Sequence, residues 1–243
     1  MSALKSSSGR VPAITSICFS KGLKKTIVVL VLSLGTVLAR AQIGPEPQPL
    51  YGKIIVLDPG HAVRNEGGAV INPGSRARRG VYERDVVLSV AEKVAGLLET
   101  QGARVYLTRT PDNPWRYNPR RMGDNRARAI FANVMRANAY VRIHCDWNRS
   151  RSFKGFTTFY YRWGSRDLAK GLRQEMVKNL PDHHDNGMHR RSFVSITARM
   201  PAVLLEIGTL SYKPEAKVMG TEAFQDKVAQ AVAKGILDYF QKA

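Results

Sequence analysis

Cysteine is nearly missing from this sequence, with two in 243 residues, Cys18 and Cys145. Cys18 falls in a segment expected to be removed, so no intrachain disulfide is available and stability must come from a packed core. A lone thiol beside His144 could be read as a nucleophile. The usual role of such a cysteine is a small buried hydrophobe, and that is the expectation for Cys145. Acids are scarce: 19 Asp and Glu stand against 38 Lys and Arg, a formal net charge of +19. Aromatic residues make up 8%. They nowhere interleave with basic ones as in a single-strand nucleic-acid binder. No internal repeat is visible. The one long apolar run, residues 27–38, holds twelve residues, short of the roughly 20 that a membrane-spanning helix needs.

That run has a different meaning. Three lysines precede it and Ala39-Arg40-Ala41 follows it, the pattern of a secretory signal peptide. Neither a twin arginine nor a lipid-accepting cysteine accompanies it. Residues 1–41 are therefore expected to be a signal peptide, leaving no stable membrane insertion after cleavage. The product would be exported to the periplasm, cell envelope or extracellular space. Cleavage removes six basic residues and no acid, leaving a charge of +13. A basic exported protein suits an anionic envelope polymer better than nucleic acid.

Residues 42–52, QIGPEPQPLYG, form a proline-rich linker. From Lys53 the pattern alternates. Residues 53–57 read as a strand. The next segment places Val87, Val90, Ala91, Val94, Leu97 and Leu98 on one helical face, closed by Gly102. ARVYLTR is a second strand, residues 119–136 an arginine-rich helix, and AYVRIHCDW a third strand. Residues 156–161 form a fourth strand and 165–178 a helix. MPAVLLEIG is a last strand and 221–241 a last helix. HHDNGMH, residues 183–189, carries three of the five histidines without a metal-ligand spacing and reads as a solvated loop. The sum is an α/β fold: a mostly parallel, mixed sheet with helices on both faces, in a single catalytic domain over 53–243.

Three strands deliver polar residues toward their carboxyl ends: His61 just past the first, His144 late in the third, Glu206 in the AVLLEIG strand. In a parallel sheet those ends share an edge, where such folds place their chemistry. Glu83 opens the first helix close by. Two histidines and one glutamate are the ligand set of a catalytic zinc with an open fourth position, and a remaining glutamate would serve as acid/base. A carboxylate inside an apolar strand is costly to bury without purpose, which singles out Glu206. Arg64, Arg76, Arg79, Arg149, Arg151 and Arg199 are candidates for orienting substrate carboxylates.

IIVLDPGHA, GVYERDVVL, YVRIHCD and MPAVLLEIGTLS resemble, in order, the signature blocks of zinc-dependent N-acetylmuramoyl-L-alanine amidases of the Amidase_3 family. LTRTPDN, NRARAIFAN and GFTTFYY fit between them. The resemblance implies one zinc per chain held by His61, Glu83 and His144, with Glu206 as catalytic acid/base. Peptidoglycan would be the substrate, cut between the lactyl group of N-acetylmuramic acid and L-alanine. A zinc peptidase acting within the stem peptide and an inactive wall-binding module are the alternatives. The chain departs from the family where Ala62-Val63 replaces the usual Gly-Gly after the first histidine. Its loop to Glu83 is also long and contains Glu66, a rival ligand. Some relatives insert an inhibitory helix after the block that here reads RIHCDWN. Only RSRSFKG separates Asn148 from Phe156 here, about 10 Å of helix at most, so no obligatory activator is expected.

Overall fold

The computed structural model describes residues 48–65, 67–77, 80–115, 124–192 and 197–242. Its centre is a six-stranded sheet. In chain order the strands are β1 (Ile54–Pro59), β4 (Arg104–Leu107), β5 (Ala139–Asp146), β6 (Phe156–Tyr160), β7 (Asp185–Arg190) and β8 (Ala202–Thr209), with a separate hairpin of β2 (Val63–Arg64) and β3 (Val70–Asn72). The spatial order is β4-β1-β5-β8-β6-β7. β4, β1, β5 and β8 run parallel, and β6 is antiparallel to β8. The expected α/β class and mixed sheet are what the structure shows.

Alternation along the strands splits the molecule into two layers. Ile55, Leu57, Val141, Ile143, Cys145, Val203, Leu205 and Ile207 face one side. They are covered by α1 (Glu83–Glu99), α3 (Arg166–Asn179) and α5 (Glu222–Lys242), each amphipathic at helical period. α3 and α5 meet at Gly171 and Gly235, where a Cβ on Gly235 would stand 2.8 Å from the Leu172 Cα. The other side is thinner. Val56, Tyr140 and Ala202 pack there against Ala129 and Ala132 of α2 (Asp124–Val134). Helices on both faces follow from strands buried on both faces.

Several details differ from the sequence reading. Leu97, assigned to the buried face of α1, is 38% exposed. Of residues 183–189, expected to be a solvated loop, all from Asp185 onward lie in the edge strand β7. Pairing with β6 on one side only lets a strand carry Asp185, Asn186 and Arg190, since an edge tolerates polar groups that a central strand does not. The hairpin β2–β3 and the short α4 (Lys213–Met219) were not anticipated. The signal peptide, most of the linker, Glu66, Arg78, Arg79 and the start of the arginine-rich helix lie outside the described residues.

Candidate active site

β1 delivers His61. The strand ends at Pro59, and Gly60 allows close passage: a Cβ there would lie 2.3 Å from the His144 ring. His61 and Ala62 follow with φ of 63° and 54°, left-handed conformations that cost on the order of 1–2 kcal/mol per residue outside glycine. β5 delivers His144 one strand away, on the face opposite the Cys145 side chain. α1 delivers Glu83 at its first residue, where the helix dipole favours a carboxylate.

The three side chains meet. His61 Nε2 lies 2.9 Å from Glu83 Oε1, and His144 Nδ1 lies 3.2 Å from both. Ligand atoms of the three residues all fall within 4.8 Å of one another. Metal–donor bonds of about 2.0–2.1 Å in tetrahedral array separate neighbouring donors by about 3.3 Å, so the set fits one small cation. The surroundings prepare it for that use. His61 Nδ1 pairs with Asn72 Oδ1 at 2.9 Å. An amide oxygen accepts only, so Nδ1 keeps its proton, and Nε2, which pairs with Glu83 here, is the nitrogen that would turn its lone pair to a cation. Glu83 accepts from the backbone amides of Ser75 and Cys145 at 2.9 and 3.0 Å. Burial alone would raise the Glu83 carboxyl, but bonds to His144 and His61 hold it well below the usual carboxylate range. Burial lowers His144, with Glu83 opposing, which favours its neutral, ligating form.

Glu206 stands beside this triad. On β8 it is directly opposite His144 of β5 and Thr157 of β6, so the three share one face of the sheet. The residue is partly exposed, yet its Oε2 is buried without a hydrogen-bond partner among the described residues. Burial pushes its pKa well above the ordinary carboxylate value, and the charges of Glu83 and Asp146 push the same way. A buried carboxyl that holds its proton more tightly than usual suits an acid/base group.

Cys145 is 3% exposed within the main core. Burial raises its thiol far above the normal range, leaving no thiolate for nucleophilic use. The candidate arginines scatter. Arg149 is exposed on the loop that follows the His144 strand. Arg151 stacks over Trp147 there, 5.3 Å from the ring centroid. Arg64 is tied to its own hairpin through Gly68 O at 2.7 Å, and Arg76 packs on Tyr82. Arg199 precedes β8, at the opposite edge of the sheet from Glu206, so it does not reach the site. Arg79 lies outside the described residues.

Sequence reasoning missed a buried charge network below the site. Asp58, fully buried, accepts from Thr108 Oγ1 at 2.6 Å, Arg128 Nη1 at 2.6 Å, Tyr140 OH at 2.8 Å and Arg142 Nε at 2.9 Å. Burial opposes its charge, but the Arg128 and Arg142 guanidiniums dominate and hold the carboxyl far below the usual range. A signal was available: Asp58, Arg128 and Arg142 each interrupt an apolar face.

Comparison with known proteins agrees with this geometry. A family model described as N-acetylmuramoyl-L-alanine amidase matches residues 55–238. A germination-specific N-acetylmuramoyl-L-alanine amidase of Bacillus subtilis is 35% identical over 205 residues, covering 81% of this chain and 83% of the relative. Among solved structures, the catalytic domain of the amidase CwlV from Bacillus (Paenibacillus) polymyxa superposes with a TM-score of 0.68 at 30% identity, covering 78% of this chain and 98% of that one. The CwlD amidase of Clostridioides difficile, solved in complex with the GerS lipoprotein, gives 0.64 at 26% identity, covering 79% and 100%. This chain belongs to the Amidase_3 family of N-acetylmuramoyl-L-alanine amidases.

Proposed function

We propose that the protein is an exported, zinc-dependent cell-wall amidase that cuts the bond between the lactyl group of N-acetylmuramic acid and L-alanine of the stem peptide. The observation that carries this reading is the unpartnered, buried Glu206 oxygen one strand from a two-histidine, one-glutamate donor set. His61 Nε2, His144 Nδ1 and Glu83 Oε1 would hold one zinc. Bound there, zinc would supply a Lewis acid for the carbonyl and lower the pKa of water to about 7.

The protein's own groups do the rest. Glu206 takes the proton of the attacking water and returns it to the departing amine of L-alanine; one carboxyl serves both because the steps are sequential. Asn72 keeps His61 in the ligating tautomer. Arg149, exposed on the loop that follows the His144 strand, would orient a stem-peptide carboxylate. The loop 147–155 is anchored at its end, where Gly155 N donates to Glu215 at 2.7 Å. It contains no helix in the described structure, which supports an open site and activity without an activator. Residues 1–41 would direct export and 42–52 would link to the catalytic domain at 53–243.

The test is mass spectrometry of muropeptides digested by the purified protein. Stem peptides with a free L-alanine amino terminus are the expected product. Cleavage products that keep L-alanine on the sugar would mean a peptidase and refute the reading. Chelation should abolish turnover and added zinc restore it. Because one solved relative is a complex with a lipoprotein, the assay is run on the protein alone. Failure there, cured by a partner, would refute the activator-free part.

A further inference from the structure

His61 is the metal-site residue held by no regular element. His144 lies within β5 and Glu83 within α1, whereas His61 stands in the turn between β1 and β2. Two successive non-glycine residues of that turn, His61 and Ala62, are left-handed, a state sterically disfavoured for any side chain with a Cβ. Unsupported, the turn would relax and carry the imidazole away from Glu83 and His144.

Two buried arginines oppose that relaxation. Arg109 donates Nε to Pro59 O at 3.0 Å and Nη2 to Gly60 O at 2.8 Å. The same Nη2 donates to Arg84 O at 2.8 Å. Arg128 donates Nη2 to His61 O at 2.9 Å and Nη1 to Pro59 O at 3.3 Å. Pro59, Gly60 and His61 thus each have their carbonyl held by a guanidinium. Gly60 precedes His61 and Arg84 follows Glu83, so Arg109 spans the two segments that bring those ligands together. Among the described residues, its hydrogen bonds go to backbone carbonyls alone. Burial and the nearby Arg128 charge lower it to about 10, still protonated at neutral pH.

We propose that Arg109 is a positioning residue for the metal centre: its guanidinium clamps the strained His61 turn to the first turn of α1 and so sets His61 Nε2 against Glu83 Oε1. Lysine cannot replace it, because a single ammonium does not reproduce the planar fork that reaches three carbonyls. The proposal rests on the metal reading above, and its test separates the two.

Zinc is titrated into the metal-free full-length protein and its variants, with thermal stability of the metal-free forms measured alongside. Arg109→Lys should raise the zinc Kd by about 10-fold or more, the usual effect of losing support behind a ligand. Ala62→Gly makes the left-handed turn intrinsically accessible. It should change zinc affinity little in the wild type but restore much of it in the Arg109→Lys background, a coupling that a purely structural arginine would not produce. Ala62→Val should weaken zinc binding with Arg109 intact, and it carries the test if Arg109→Lys does not fold. Wild-type zinc affinity in Arg109→Lys, or equal Ala62→Gly effects in both backgrounds, would overturn the proposal. So would wild-type affinity in Ala62→Val. Absence of zinc uptake by the wild type would overturn the metal reading beneath it.

Discussion

Replacing Asp58 by Asn keeps shape and removes one charge from the centre of the network. Asp58 receives four donors from Thr108, Arg128, Tyr140 and Arg142. Asn offers one acceptor oxygen and turns a donating NH2 toward groups that also donate. Arg128 and Arg142, 0% and 2% exposed, then face each other's charge without the anion between them. Breaking a buried ion pair costs about 3–5 kcal/mol. The two pairs share one carboxylate and are not additive, so about 4 kcal/mol is the expectation. For a domain of this size that is a Tm drop of about 8–16 °C. The pH dependence has a definite sign. The folded carboxyl is held below its ordinary value, so its contribution is complete above about pH 4 and shrinks as pH falls below that. Urea titrations at pH 7 and pH 3 should therefore show the gap between wild type and Asp58→Asn narrowing by about 1 kcal/mol at the lower pH. A difference under about 1 kcal/mol at pH 7 would mean that the network is not needed for stability, as some buried pairs are not.

Glu206→Gln should fold, bind zinc and lose on the order of 10²-fold or more in rate on muropeptides; retained turnover would make Glu206 structural. Gly60→Ala puts a methyl where the His144 ring lies, 2.3 Å from Cε1, so zinc affinity should fall while far-UV circular dichroism is unchanged. An unaltered zinc isotherm would show that the ring has room to move. Gly235→Ala presses on the α3 backbone at Leu172 and should lower the melting temperature without changing kcat, as overpacking costs typically 1–3 kcal/mol. His61→Ala and His144→Ala should each lose the metal, and full occupancy in both would refute the ligand assignment.

The order of strands and helices was legible because hydrophobic period is a local property. Val56 and Leu57, or Val90 and Val94, declare their element by spacing alone. So was the convergence of His61, His144 and Glu206, since parallel strands bring their carboxyl ends to one edge, and resemblance then ranked Glu83 as the third ligand. Edge strand β7 was illegible because its polar residues lack alternation, and only pairing with β6 makes it a strand. Arg199 could be set apart by sequence order alone, since it precedes the strand whose far end carries Glu206. Asp58, Arg109, Arg128 and Arg142 were visible as charges in apolar surroundings. That they join into one support beneath His61 depends on contacts 49 to 84 residues apart in the chain. Composition and local pattern determined the class of fold and the chemistry available to it. The aim of each side chain was decided only when distant segments closed around the same few cubic ångströms, because hydrogen bonds and charge pairs act across space and leave no period in the sequence.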